Sequence, residues 1–280
     1  MASGKIKDFS GYENFFNRYC HDFTKLTRVN DPNIKLKKDH SLRVAKLARL
    51  LTEFEQFRAG PAFLTGVAAL FHDIGRFEQY ARYKTFKDSD SIDHARLGFK
   101  ILGAQGFLDS LSVSDIRCIR LAVLFHNRHS LPSGLPREID MVCKALRDAD
   151  KLDIFPVMLS HFEPGSTGNS VVTLGLSDSD EITPEILDQL KSRRLGDYSR
   201  MQYLNDFKLL ICSWVYDLNF SFSRRLVLKQ RYIQKIFEML PARLDLHGLK
   251  KRILKDLENG GRALPAKSHQ SENKLVQLAD

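Results

Sequence analysis

The chain has 280 residues, 43% of them hydrophobic, and its 43 Lys and Arg against 34 Asp and Glu give a formal net charge of +9. That apolar share supports one large core, or a core with an appended subdomain, and excludes a low-complexity chain. No run approaches the roughly 18 apolar residues of a membrane span, the opening MASGKIKDFSGYENFF lacks the apolar block of a signal peptide, and Cys20, Cys118, Cys143 and Cys212 are too scattered for a disulfide framework or a CxxC zinc site. A cytoplasmic protein with buried thiols and no membrane partner is expected, and its positive surplus favours an anionic partner, whether a nucleotide, a nucleic acid or another phosphorylated molecule.

Apolar spacing is helical from end to end, with no alternating strand pattern, so the expected fold is all-α. A first amphipathic helix is read from Tyr12 to Leu26, and the Asp31-Pro32-Asn33 turn separates it from a second beginning near Lys38. In the second, His40, Val44, Leu47, Ala48 and Leu51 share one face. A third helix, opened by Pro61, carries Leu64, Ala68 and Phe71 inward and ends around His72. The polar FKDSDS is a loop, after which Asp90 or Ser91 caps a helix through His94, Leu97, Ile101 and Leu102. Ser112 to Asp115 resembles a capping box for a helix that sets Ile119, Ala122, Val123 and His126 on one side. After the turn residues of SLPSGLP, a helix runs from about Arg137 to Ile154.

The Gly-, Ser- and Thr-rich stretch from Glu163 to Ser179 reads as a loop, and Thr183-Pro184-Glu185 restarts a helix. Long helices are expected between Tyr198 and Leu240, with the aromatics of ICSWVYDLNFSF in the core, and Pro241 breaks them. From Asn259 the composition loses all periodicity, so a disordered tail is expected. The domain reading is a catalytic unit over 1–160, a helical extension over 161–258 and a tail over 259–280.

Histidines and aspartates recur at the edges of successive helices, as His40, His72-Asp73, His94, His126 and Asp150. At about 100° per residue, Asp150 lies within about 40° of the Ile139, Val142 and Leu146 stripe, while Asp148 points nearly opposite. An ionised carboxylate turned toward a core is costly unless paired or bound to metal, and neutral imidazole is the commonest metal ligand. One inward histidine is ordinarily a hydrogen-bonded core residue. Four on separate helices, joined by two carboxylates, point to a metal site.

The order H, HD, H, H, D, carried by KKDHSLRVAKLA, ALFHDIGRFEQY, SIDHARLG, FHNRHSLP and RDADKLD, resembles the HD-domain superfamily of metal-dependent phosphohydrolases over about residues 35 to 155. The resemblance implies an HD-type helical bundle with a C-terminal helical extension and, through the additional His94 and His126, the members that hold two metals. By that likeness His40, His72, Asp73 and Asp150 hold one divalent ion and Asp73, His94 and His126 the other, the ions being Mn, Fe, Mg, Co or Ni. Two such ions about 3.5 to 4 Å apart can share a hydroxide whose parent water has its pKa lowered from about 15.7 toward 7, and they offset charge on the phosphoryl oxygens. Asp73 is the bridge in this scheme and could accept the nucleophile's proton.

Around this set, Arg76 is a candidate phosphate clamp or, at the end of a helix, a partner of its dipole. Lys84 on the loop before His94, His129 close to His126, and Lys151 after Asp150 are further candidate substrate contacts, with a solvated loop the blander reading for Lys84 and its neighbours Arg82 and Lys87. The leading expectation is hydrolysis of a small phosphate ester, most naturally a nucleotide. Two alternatives stand beside it: an HD-type di-iron oxygenase, disfavoured because TRVNDPNIKLKKD lacks a tyrosine and glutamate pair, and a nucleic-acid-binding or ligand-sensing module, or a nuclease, suggested by the basic stretches at 223–231 and 249–255.

Overall fold

The computed structural model of the protein describes residues 8–26, 31–162, 173–242 and 244–260; the tail expected beyond Asn259 lies, from 261 onward, outside them. Among the described residues the chain is helical and forms no strand, with a lone bridge between Ser177 and Tyr203. Among the described residues no helix is long and apolar enough to cross a membrane. Two compact units emerge, one of residues 1–128 and 136–153, the other of 129–135 and 154–280.

In the first unit, α1 (Phe9–Leu26), α2 (Pro32–Phe54), α3 (Ala59–Phe71), α4 (Ile74–Tyr83), α5 (His94–Ala104) and α6 (Val113–Phe125) pack in a bundle, and α7 (Arg137–Phe162) contributes its residues up to Asp153. α3 is the central helix: every residue from Leu64 to Phe71 is buried, and it packs on α1, α2 and α6. A helix apolar all round has no solvent face to keep. α1 covers the bundle with Tyr12, Phe16 and Cys20, the Phe16 ring standing edge-on to Phe71 and Phe77 at 5.9 and 5.8 Å.

Several boundaries differ from the periodicity reading. α2 starts six residues before Lys38, because Asp31 accepts a hydrogen bond from the Asn33 amide and Pro32 takes the first helical position. α4 was not expected as a separate helix: the chain turns at His72-Asp73 and resumes with Phe77 and Tyr80 inward, ending at Lys84, whose φ of 54° is left-handed. The cap of α5 is Asp93, not Asp90 or Ser91; its carboxylate accepts from the amides of Ala95 and Arg96, while Asp88–Asp90 makes one 3-10 turn. Ser112 caps α6 as read. α7 continues through Pro156 to Phe162, and its middle is buried on more than one side, so Asp148, expected to face away, is fully buried.

The second unit holds the end of α7, α8 (Pro184–Lys191), α9 (Leu204–Ser213), α10 (Ser221–Gln230), α11 (Tyr232–Glu238) and α12 (His247–Glu258). Phe155, Trp214 and Tyr232 form its aromatic centre, with Phe155 stacked on Tyr232 at 5.1 Å. The expected long helices between Tyr198 and Leu240 are short ones: a 3-10 turn follows α9, and Arg231, at φ 56°, divides α10 from α11. Asp206 staples the entry to α8 and α9, accepting hydrogen bonds from the Thr183 amide and hydroxyl at 2.7 and 2.6 Å and from the amides of Gln202 and Tyr203 at 2.9 and 3.0 Å.

Candidate metal centre

The glycine of HDIGR explains how the bundle can close on one point. A Cβ on Gly75 would stand 2.2 Å from the His94 carbonyl oxygen and 2.8 Å from the Gly98 nitrogen, so only glycine lets the first turn of α4 lie against the first turns of α5. Asp73, immediately before that turn, has φ −98° and ψ 16°, in the sparsely occupied bridge region. The close approach delivers its carboxylate to His94.

Four helices then aim an imidazole at Asp73. His72 and His126 use one device: each caps the C-terminus of its helix, α3 or α6, and donates from Nδ1 to the carbonyl three residues back, Ala69 or Val123, at 2.7 Å. His40, on α2, has Nδ1 2.7 Å from Asp153, and His94, at the start of α5, has Nδ1 2.7 Å from Asp88. A carbonyl or an ionised carboxylate can only accept, so every Nδ1 carries the proton in the neutral ring and every Nε2 presents a bare lone pair.

Those lone pairs face one another. His40 and His72 stand Nε2 to Nε2 at 3.2 Å, His94 and His126 at 3.1 Å, and the rings follow in the order 40, 72, 126, 94 with centroids 5.0 to 5.1 Å apart. Asp73 divides its oxygens between the pairs: Oδ2 is 3.7 Å from His40 and from His72, and Oδ1 is 3.4 Å from His94 and 3.7 Å from His126. Asp150 joins the first pair, its Oδ1 3.1 Å from His40 and 3.6 Å from His72, yet that buried oxygen accepts no well-formed hydrogen bond. Acceptors facing acceptors in a buried space repel unless a cation lies among them, and an N/O set of neutral imidazoles and carboxylates suits a divalent metal. The six residues fit a metal on this ground.

The grouping has more than one solution, since His72, Asp73 and His126 bring ligand atoms together as closely as His40, His72 and Asp150 do. A further cluster of Asp88, Asp93 and His94 is already neutralised, by Arg76 on Asp88 at 2.8 Å and Arg128 on Asp93 at 3.0 Å.

Electrostatics follow the same division. Burial pushes the His72 and His94 pKa values down to about 4, so both are neutral at physiological pH. Burial also opposes charge on His40, but the neighbouring Asp150 and Asp153 carboxylates outweigh it and raise the pKa. Burial raises Asp73, and Lys37 first and His72 next more than reverse this, holding it well below the usual range.

Residues absent from the sequence reading complete the centre. Asp153 orients His40 and is itself gripped by Arg43 through Nε and Nη2 at 2.7 and 2.9 Å; Asp88 orients His94. Arg147, buried, donates to the carbonyls of Phe125, His126 and Arg128 and so fixes the end of α6. Lys37 donates to Asp73 at 2.8 Å. Asp153 and Lys37 each lie three residues from a ligand on a common helix face, a spacing that could have revealed them; Asp88 lies in a loop, where no periodicity points to it.

Of the expected substrate contacts, Arg76 lies in the first turn of α4, at the positive end of the helix dipole rather than at a helix C-terminus, so the dipole reading falls. It spans two carboxylates, with Nε 3.5 Å from Asp73 and Nη1 spent on Asp88, Gln79 and the Phe86 carbonyl. Lys84 is exposed, over the Tyr80 ring, and its neighbour Arg82 belongs to α4, paired with Glu78, rather than to a loop. Lys151, half-buried on α7, approaches the Arg147 carbonyl at 3.4 Å, and His129 falls in the second unit.

Searches of curated proteins and of solved structures returned no match. The family model of the HD domain matches residues 38–154, a span that contains all six converging residues. That match is consistent with the HD-domain superfamily of metal-dependent phosphohydrolases.

Proposed function

We propose that the chain is a cytoplasmic, metal-dependent phosphohydrolase that cleaves a phosphate ester of a small anionic substrate, a nucleotide above all. The observation that carries this reading is the split of Asp73, one oxygen toward His40 and His72 and the other toward His94 and His126. His40, His72, Asp150 and Asp73 would hold one divalent ion, and His94, His126 and Asp73 a second, with Mn, Fe, Mg, Co and Ni all compatible with such donors. Bound there, the pair supplies Lewis acidity, bringing the pKa of water from about 15.7 toward 7 and offsetting phosphoryl charge.

The chain's own part is orientation and proton handling. Asp153 and Asp88 keep the His40 and His94 Nε2 atoms unprotonated and aimed inward, a role taken for His72 and His126 by backbone carbonyls. Asp73, central to both pairs, would be the group to take the nucleophile's proton. Asp150, with 17% of its side chain exposed, lies nearest to water, which marks its side as the mouth. Contacts of Arg76, Lys84 and Lys151 with the substrate belong to this proposal.

The test is phosphate or nucleoside release from a panel of mono-, di- and cyclic nucleotides with Mn²⁺, for wild type and Asp73→Ala. Turnover by the wild type that Asp73→Ala lacks supports the reading; folded, metal-loaded wild type that turns over no phosphate ester overturns it. A polyanionic substrate is the second reading, favoured by Lys251 and Lys255, exposed one turn apart on α12 with no acid partner among the described residues. Like charges at that spacing slightly destabilise a helix, a cost that phosphates would relieve. Salt-sensitive binding of nucleic acid, weakened by Lys251→Glu, would select it.

A further inference from the structure

Lys37 stands on α2 one turn before His40 and shares its face. Its ammonium lies 2.8 Å from Oδ2 of Asp73, the same oxygen that faces His40 and His72 at 3.7 Å. Its side chain is 19% exposed against 4% for Asp73, so the ammonium enters from the solvent side of the centre. On its way it passes the Phe86 ring, with Nζ 5.2 Å from the centroid. Among the described residues it donates to Asp73 alone.

Arg76 makes the contrast. Its guanidinium also nears Asp73, from the Oδ1 side, but Asp88, Gln79 and the Phe86 carbonyl hold it in place. One cation of the pair is tethered; the other hangs on a single carboxylate oxygen by a flexible four-carbon stem.

An ammonium and a divalent ion compete for Oδ2, because both draw on the charge of one oxygen and each raises the cost of holding the other there. We infer that Lys37 is an exchangeable cation: it occupies Asp73 Oδ2 in the metal-free protein, is displaced when a divalent ion binds among His40, His72, Asp73 and Asp150, and then turns its ammonium, still beside Phe86, to the phosphate that the substrate brings to the mouth. This rests on the metal assignment proposed above. Lys37 is thereby a positioning residue with two partners, weakening metal binding in the first state and strengthening anion binding in the second.

Opposite signs make the inference testable with the full-length protein. Mn²⁺ is titrated into metal-stripped wild type, Lys37→Met and Lys38→Met, the last removing one positive charge from the same turn of α2 but not the one on Asp73. Lys37→Met is expected to bind Mn²⁺ about tenfold more tightly, the equivalent of one charge-assisted hydrogen bond no longer competing, and Lys38→Met to change less than about twofold. Inorganic phosphate is then titrated into the Mn²⁺-loaded proteins, where Lys37→Met is expected to bind about tenfold more weakly than wild type. Mn²⁺ affinity in Lys37→Met equal to that of wild type or of Lys38→Met, or an unchanged phosphate affinity, overturns the inference. Wild type that binds no Mn²⁺, indistinguishably from Asp73→Ala, defeats instead the metal assignment on which it rests.

Discussion

Asp206 and Asp150 are both carboxylates in helical surroundings, and their neighbours could hardly differ more. Asp206 is fully buried and receives hydrogen bonds from the amides of Thr183, Gln202 and Tyr203 and from the Thr183 hydroxyl, so its charge is met entirely by donors. Asp150 faces the bare nitrogens of His40 and His72, and its inner oxygen accepts no hydrogen bond. Donors around a carboxylate complete a structure; acceptors around one leave room for a cation. The same test separates the rest of the molecule: buried Lys208, with Asn205 and the Met239 carbonyl as acceptors at 2.9 Å, belongs with Asp206 and not with the metal centre.

If that contrast is right, Asp73→Ala gives the largest effect, a loss of turnover on the order of 10³-fold or more with the fold retained, read from initial rates and circular dichroism. Asp206→Ala should do the reverse: four donors lose their acceptor, so thermal unfolding of the protein should come roughly 10 °C earlier while Mn²⁺ affinity holds. Equal Mn²⁺ losses in the two variants would break the comparison. Between these poles, Asp153→Asn and Asp88→Asn keep the ligands but loosen the rings, and Mn²⁺ affinity should fall about 10- to 100-fold in each.

The smallest effect is in pH. The His72 and His94 values fall from 6.5 to about 4 on folding, so their contribution to stability is whole above pH 6.5 and drains away as pH drops toward 4, where unfolding takes up their protons. His40, raised, acts with the opposite sign, its contribution being full below 6.5 and lost as pH climbs past its folded value. Metal-stripped protein should therefore melt at progressively lower temperature from pH 6.5 to 4.5, and His72→Gln should flatten that slope. A slope identical in the variant would remove His72 from the account.

The helical class, the amphipathic first helix and the order of the six histidines and aspartates were legible in the sequence because helix periodicity and residue chemistry are local signals. The Asp148 reading failed for a reason that is equally physical: periodicity separates inside from outside only on a helix with one buried face, and the middle of α7 has more than one. Helix boundaries near His94 were misplaced by a few residues because three aspartates and two serines compete to cap the same turn, and tertiary contact of Asp88 with Arg76 and His94 decides among them. Spacing on α2 places Lys37 on the face of His40, but that its ammonium meets Asp73 depends on how α2 packs on the turn before α4, which no spacing encodes.

The two histidines that end α3 and α6 carry a further consequence. Their rings are pinned by backbone carbonyls of their own helices, so the separation of His72 from His126 is fixed by how closely α3 packs on α6 and not by rotamer choice. Selection among ions of different radius would then be set in the apolar interior, and trimming a methyl group between those helices would retune the preferred ion without touching a ligand.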